Sequence, residues 1–359
     1  MSKRFLIWYW SPSGGGGSQY AVKLAQRLAR RFGDDAITLS LHADDPSLAL
    51  ASANAFETLA ANVVTARRQP LGTVAGLGAS ARVLADHGSR ADCVIVPMNF
   101  AAAAPLAMGL QKPLVYVAHD PKPHPGDYAQ VLQRATQAAL LRKSTRILAL
   151  SNYAARELAR SADTRSKLEV APLSSVFEPY EVSPRAVGPV LLLFAGRMIA
   201  YKGIEILAEA LARLAKRDDW RLTIAGAGPA LDAAAARRFE LSQVERVTRG
   251  WLSETELDAL VADCDILLAP YRSATQSGVV AQALAHGKPC VVTPVGALGE
   301  QIGEGLGGWM AERADAPAFA AALERALSSV DALRERQAGA LAIARAAWQH
   351  DYWRWLEEI

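Results

Sequence analysis

Short apolar runs alternate with longer Ala-rich stretches along this chain, and the alternation stops once near the middle and then restarts. RFLIWYW reads as a strand, and the following SQYAVKLAQRLARRF sets Val22, Leu24, Ala25, Leu28 and Phe32 near helical spacing. AITLSLH, DCVIVP, PLVYVAH and TRILALS read as further strands with helical segments between most of them. Runs that are apolar throughout suit strands buried on both faces, as parallel sheets require. The pattern is that of a doubly wound α/β domain.

The break falls at VFEPYEVSPRAVGP, with three prolines within residues 177–189 and no periodicity, and reads as a linker. After it come the strands PVLLLFAG, RLTIAGAG, RVTRGW, DILLAPY and KPCVVTPVG, with helices expected over 203–217, 229–240, 253–262 and near 278–287. A length of 359 residues suits two domains. The expected architecture is two Rossmann-like α/β/α domains, residues 1–178 and 179–339, facing a cleft. Strand C-termini of both would border that cleft, where such sheets bind ligands. Residues 340–359 end in WQHDYWRWLEEI, and that aromatic content implies a helix docked on an apolar surface.

Composition narrows the function classes. At 51% hydrophobic and 21% charged residues the chain can bury a sizeable core, which excludes disorder as its main state. A net charge of +3 is too small to imply a nucleic-acid partner, and none is expected. The charge is unevenly spread: residues 1–178 carry 20 Lys and Arg against 13 Asp and Glu, while residues 179–359 carry 19 against 23. The basic first half reads as ordinary solvated helix faces or, in the sharper reading, as attraction to an anionic acceptor or an anionic membrane surface. Cys93, Cys264 and Cys290 sit far apart in apolar runs, as buried free thiols of a reducing cytoplasm would. Without CxxC or HxxxH spacing a structural zinc site is disfavoured. FLIWYW is too short for a signal-peptide core, and Pro97, Asn99, Pro105 and Gly109 interrupt the longest apolar region. The expected location is therefore cytoplasmic, with peripheral attachment at the inner membrane face as the alternative.

Four motifs carry chemistry. SPSGGGGSQYAV follows the first strand, and its glycines, Gly16 and Gly17 among them, let the backbone at a helix start approach a phosphate or sugar. A plain tight turn also accounts for it, since dinucleotide and P-loop spacing are absent. In LLLFAGRMIAYKGIEIL a buried strand ends at Gly196, and Arg197 and Lys202 follow, two cations suited to a pyrophosphate. LTIAGAGP places Gly226 and Gly228 after another strand. LLAPYRSATQSGVVAQALAHGKPCVV ends a strand at Pro270, and after a polar loop Ser277-Gly278 opens a helix that stops at Gly287. That helix start is a second anion-binding device.

Taken together, FAGRMIAYKG, IAGAGP, SATQSGVVAQALAHGKPCVVTPVGALGE, the Gly-rich loop, VAHD and LALSNYAARELA resemble the retaining glycosyltransferases of family 4, which have the GT-B fold. The resemblance implies transfer of a hexose-type sugar from a UDP- or GDP-linked donor, held by the C-terminal domain. The acceptor, a saccharide or a lipid-linked one, would lie on the N-terminal domain, plausibly in cell-envelope or exopolysaccharide synthesis. The tail resembles the last helix of that fold, which crosses back onto the N-terminal domain. By position Arg197 and Lys202 match the diphosphate-binding pair, His119 the active-site histidine, and Gly16 or Gly17 the Gly-rich loop. The family's paired Glu are missing: Gln282 stands at the second, and Ala274-Thr275-Gln276 covers the first. Gln282 keeps an acceptor oxygen for ribose hydroxyls, and the backbone N–H groups of Gln276, Ser277, Gly278 and Val279 could replace the lost sugar contact.

Tyr271 and Arg272 follow the strand DILLAP and could flank the nucleotide, with a surface loop as the equal alternative. His119 would contact the sugar or its developing positive charge, ahead of Asp120. Pro121, Pro123, Pro125 and His124 would shape the acceptor side. Asp263-Cys264-Asp265 precedes its strand and so lies at the wrong end for a donor site; no catalytic metal and no other cofactor is expected. Arg197, Lys202 and the helix start would instead stabilise the leaving diphosphate. Two alternatives stand beside this: a non-catalytic nucleotide-sugar-binding partner protein, and a nucleotide-sugar 2-epimerase.

Overall fold

The computed structural model describes residues 3–359 except 13, 62, 64–72, 101, 122–129, 182–187 and 232–238. The helix expected over 229–240 and the loop with Pro123, His124 and Pro125 fall wholly or mostly outside the described residues. The chain forms two compact units: residues 1–171 with 351–359, and residues 172–350.

The first unit runs β1 (Phe5–Tyr9), α1 (Gly16–Phe32), β2 (Ile37–His42), α2 (Leu48–Ser52), β3 (Glu57–Ala61), α3 (Thr73–His87) and β4 (Cys93–Val96). It continues α4 (Ala103–Met108), β5 (Leu114–Ala118), α5 (Gln130–Lys143), β6 (Arg146–Ala149), α6 (Asn152–Leu158), α7 (Ala162–Arg165) and β7 (Leu168–Val170). Its seven strands are ordered β3-β2-β1-β4-β5-β6-β7 and pair in parallel. The strand order reverses between β1 and β4, so the exits of β1 and β4 flank the switch point where open α/β sheets bind ligands. β1, β4 and β5 are buried along their whole length, which is why each reads as an unbroken apolar run.

The second unit runs β8 (Val190–Ala195), α8 (Ile204–Arg213), β9 (Trp220–Gly226), β10 (Val244–Arg249), α9 (Glu254–Asp263) and β11 (Ile266–Ala269). It continues α10 (Gly278–Ala285), β12 (Cys290–Val292), α11 (Leu298–Gln301), β13 (Gly308–Met310), α12 (Ala316–Ala326) and α13 (Val330–Gln349). The six-stranded parallel sheet is ordered β10-β9-β8-β11-β12-β13, with its switch between β8 and β11. Trp220, Phe194 and Phe319 are fully buried in its core. Each such side chain contributes roughly 2–3 kcal/mol by removal from water. Ser253 and Glu256 form a reciprocal capping box that starts α9.

Two boundaries differ from the sequence reading. The first unit ends at Ala171, before the Pro-rich linker, because Leu173 and Val176 are buried in a short 3-10 turn that packs on α10 and α13 of the second unit. The terminal helix begins at Val330 and stays with the second unit, while only residues 351–359 join the first. Those residues hold there by Asp351 and Glu357, which both pair with Arg31, at 3.0 and 2.5 Å. Trp353 and Leu356 are fully buried. Among the described residues no helix is long and apolar enough to cross a membrane.

Candidate functional site

The second unit gathers its site at the C-terminal end of its sheet. β8 and β9 leave the sheet so close together that a Cβ at Gly226 would stand 1.8 Å from the Gly196 carbonyl oxygen. Only glycine fits there, and Gly226 also has φ +152°. A Cβ at Gly228 would likewise meet the Met198 carbonyl oxygen at 2.1 Å, and Met198 donates its N–H to Ala227 O at 2.8 Å. The exit of β8 is thus anchored from beneath, and Arg197 stands exposed on it.

Lys202 ends a 3-10 turn over Ala200–Lys202. Gly203 then presses on the Pro270 carbonyl, 1.9 Å from where its Cβ would be, and Arg272 N–H donates to Tyr201 O at 2.8 Å. Arg272 also pairs with Glu205. The loops after β8 and β11 are therefore stitched together. Between them the Lys202 Nζ lies 3.8 Å from the centroid of the Tyr271 ring, a cation–π contact. The Tyr271 hydroxyl lies 3.1 Å from Ser277 Oγ. Burial pushes its pKa up to about 12, against the Ser277 hydrogen bond, so the phenol is neutral at pH 7.

Ser277 caps α10, its Oγ accepting from Val280 N–H at 3.5 Å. Gln301 clasps the Ser277 backbone from both sides: Oε1 accepts its N–H at 2.8 Å, and Nε2 donates to its carbonyl at 3.1 Å. No acidic side chain occupies the first turn of α10, so nothing there offsets the positive end of the helix dipole. Gly278 is exposed, and a Cβ on it would meet nothing within 4 Å. A Cβ on Gly196 would lie 3.6 Å from Val279 Cγ2, which sets the helix start beside the exit of β8. Gln276 is half-buried in the loop just before.

Two expected nucleotide contacts are placed otherwise. Tyr271 is 1% exposed; it cannot flank a nucleotide and instead lies under Lys202 and Ser277. Gln282 is buried, with Nε2 donating to Asp258 Oδ1 at 2.8 Å. The same oxygen lies 2.9 Å from His286 Nε2, and Tyr180 stacks on the His286 ring at 3.8 Å. The carboxamide of Gln282 thus belongs to a packing cluster between α9 and α10. Asp265 accepts Leu191 N–H at 2.7 Å, a structural bond at the N-terminal start of β11.

In the first unit, α1 starts at Gly16 with Gly15 as its cap. Gly17 is a glycine because a Cβ would strike the Tyr9 hydroxyl at 2.4 Å, whereas Gly16 is exposed and faces open space. His119 follows β5 and is half-buried. Burial lowers its pKa to about 4, against Asp120 and a hydrogen bond to the Pro97 carbonyl, so the ring is neutral at pH 7. Tyr20, one turn beyond Gly17, meets the His119 ring edge-to-face at 4.5 Å and 89°. Sequence reasoning passed over Tyr20, Gln301 and Asp258. Only Tyr20 had a local signal, its helical spacing from the Gly-rich loop. Among the described residues no cluster of His, Cys, Asp or Glu could hold a metal ion.

A model of the family described as glycosyl transferases group 1 matches residues 189–329, and one of glycosyltransferase family 4 matches residues 14–173. The chain belongs to the group 1, family 4 glycosyltransferases. Their GT-B fold is also that of the Anabaena protein HepE, solved in complex with UDP-glucose. The two superpose with a TM-score of 0.74 over 99% of this chain and 100% of that one, at 17% identity. Among curated proteins, a Mycobacterium tuberculosis glycogen synthase is 32% identical over 48% of this chain and 40% of its own length. The Streptomyces kanamyceticus alpha-D-kanosaminyltransferase is 28% identical over 52% of this chain and 46% of its own. This family member thus matches less than half the length of either relative. The residues matched by the group 1 model include Arg197, Lys202, Tyr271, Ser277 and Gln301.

Proposed function

We propose that this protein transfers a hexose-type sugar from a UDP- or GDP-linked donor to a saccharide or lipid-linked acceptor, with retention of anomeric configuration and without a metal or other cofactor. The observation that carries the reading is the convergence of Lys202 and the Ser277-capped start of α10 on one buried aromatic residue, the first over its ring face and the second at its hydroxyl. A cation and an acid-free helix start at one sheet end suit a diphosphate. Arg197 supplies a second cation at the same end, with fork geometry that fits phosphate oxygens. As the bond from the anomeric carbon to the diphosphate oxygen breaks, negative charge grows on that oxygen. Fixed positive groups lower the barrier by binding this state more tightly than the ground state. A bond forms from the acceptor oxygen to the anomeric carbon, and the acceptor proton passes to the departing phosphate oxygen on the same face. His119, neutral at pH 7, is assigned to the sugar as a dipole rather than a charge.

Mass-spectrometric screening of a nucleotide-sugar panel with saccharide and lipid-linked acceptors tests this directly. The expected result is one donor consumed only with acceptor present, unaffected by EDTA, and lost in Lys202→Ala. A donor panel with no consumption, or a fully active Lys202→Ala, defeats it. A second reading is a non-catalytic nucleotide-sugar-binding partner protein, favoured by the engagement of Gln282 with Asp258 and the absence of acid at residues 274–276. It expects donor binding with no nucleotide released on adding any acceptor. For the acceptor side we assign an anionic membrane surface at the cytoplasmic face. α5 presents Val131 and Leu132, 82% and 62% exposed, on the same helix as Arg134, Arg142 and Lys143. Salt-sensitive sedimentation with phosphatidylglycerol vesicles, weakened in Val131→Ser/Leu132→Ser, is the expected outcome, and its absence removes the assignment.

A further inference from the structure

Tyr271 is wholly enclosed, yet it is touched by both groups assigned to the diphosphate. The Lys202 ammonium sits over its face at 3.8 Å, and its hydroxyl lies 3.1 Å from the cap of α10. We infer that Tyr271 is a positioning residue, which fixes Lys202 and the start of α10 relative to each other so that they act on the diphosphate as one unit, without touching the donor. This rests on the donor reading given above.

The choice of an aromatic partner has a physical reason. A ring face attracts the ammonium through its quadrupole without itself carrying a negative charge. The phenol keeps this property at neutral pH, since a tyrosine is un-ionised there and burial raises its pKa further. Lysine also has a flexible four-carbon stem, and holding it before the ligand arrives reduces the ordering that binding must impose. The frame around the ring is itself held. Thr293 Oγ1 donates to the Tyr271 carbonyl at 2.5 Å, Arg272 N–H bonds the Tyr201 carbonyl at 2.8 Å, and Gln301 grips Ser277.

The test uses the full-length protein. Calorimetric titration with UDP and with GDP would be run on wild type, Tyr271→Phe, Tyr271→Leu, Lys202→Met and the double variant Tyr271→Leu/Lys202→Met. Whichever nucleotide binds wild type should bind Tyr271→Leu about tenfold or more weakly. Tyr271→Phe, which keeps the ring, should stay within about threefold of wild type. The double variant should bind within about twofold of Lys202→Met alone, since a ring with no ammonium to hold has nothing left to contribute. A second measurement works without ligand and without Tyr271→Leu. Carbon-13 dimethylation of lysines, with the Lys202 resonance assigned by its loss in Lys202→Met, should show an upfield ring-current shift in wild type. An unshifted resonance overturns the inference even if Tyr271→Leu does not fold. Wild type binding UDP or GDP while Tyr271→Leu binds equally well, or with losses that multiply in the double variant, overturns this inference alone. Wild type binding neither nucleotide at millimolar concentration overturns the donor reading and this inference with it.

Discussion

At Gly226 one added methyl group would have to occupy the space of a backbone oxygen from the neighbouring loop. Gly226→Ala should therefore cost about 3 kcal/mol or more, from backbone displacement together with an unfavourable φ. Urea unfolding would read this as a lower midpoint at unchanged slope. Gly278→Ala is the contrast, since its Cβ would enter open space. It should change stability by less than about 0.5 kcal/mol, yet weaken nucleoside-diphosphate binding by crowding the helix start. Equal effects of the two substitutions on stability would contradict the geometry. His119 carries a pH signature. Its ring titrates near 6.5 when unfolded and at about 4 in the native state. Between these values the unfolded chain binds more protons, so its contribution is complete above pH 6.5 and is lost as pH falls toward 4. The midpoint difference between wild type and His119→Gln should shrink over that interval. A difference that stays flat from pH 7.5 to 4.5 would refute the lowered pKa.

The start of α10 depends on a residue from another element. Gln301, at the end of α11, satisfies both backbone groups of Ser277. Gln301→Ala leaves a buried donor and acceptor without it, and should cost about 1–3 kcal/mol. Gln301→Glu retains an acceptor for the N–H and should recover part of the stability, while its negative charge at the helix start should keep nucleotide affinity low. Thermal melts with paired UDP and GDP titrations would show whether affinity and stability move together. This clasp also marks where sequence reading stops. The placement of Arg197 and Lys202 after a strand and of Ser277 at a helix start is legible because glycine and strand-end punctuation flank each of them. The Gln301 clasp and the Tyr20–His119 contact join positions from different elements, and local spacing places Tyr20 near the Gly-rich loop but does not announce either pairing. Tyr271 misled because a strand exit followed by a polar loop reads as surface. In the structure the loops after β8 and β11 close over its ring. β3, β7 and β13 escaped notice because ETLAA, LEV and GWM are too short or too polar to stand out as apolar runs. They extend the sheets at their outer positions, where one neighbouring strand suffices. The two main sheets were readable for the opposite reason, since burial on both faces leaves little room for polar residues.

On the scale of the molecule, the first unit needs residues from both ends of the chain. Arg31 binds Asp351 and Glu357, and Trp353 and Leu356 are fully buried. A protein stopped after His350 should lose about 3–5 kcal/mol, mainly from removing one buried Trp. Adding a synthetic peptide of residues 351–359 should raise its melting temperature. A truncated protein as stable as the full chain would show that the tail does not hold the unit. Ribosomes deliver chains from the amino end, and domains ordinarily fold in the order they emerge. In this protein residues 172–350 stand between the two segments of the first unit, so a growing chain has to make the whole second unit before residues 351–359 can join residues 1–171.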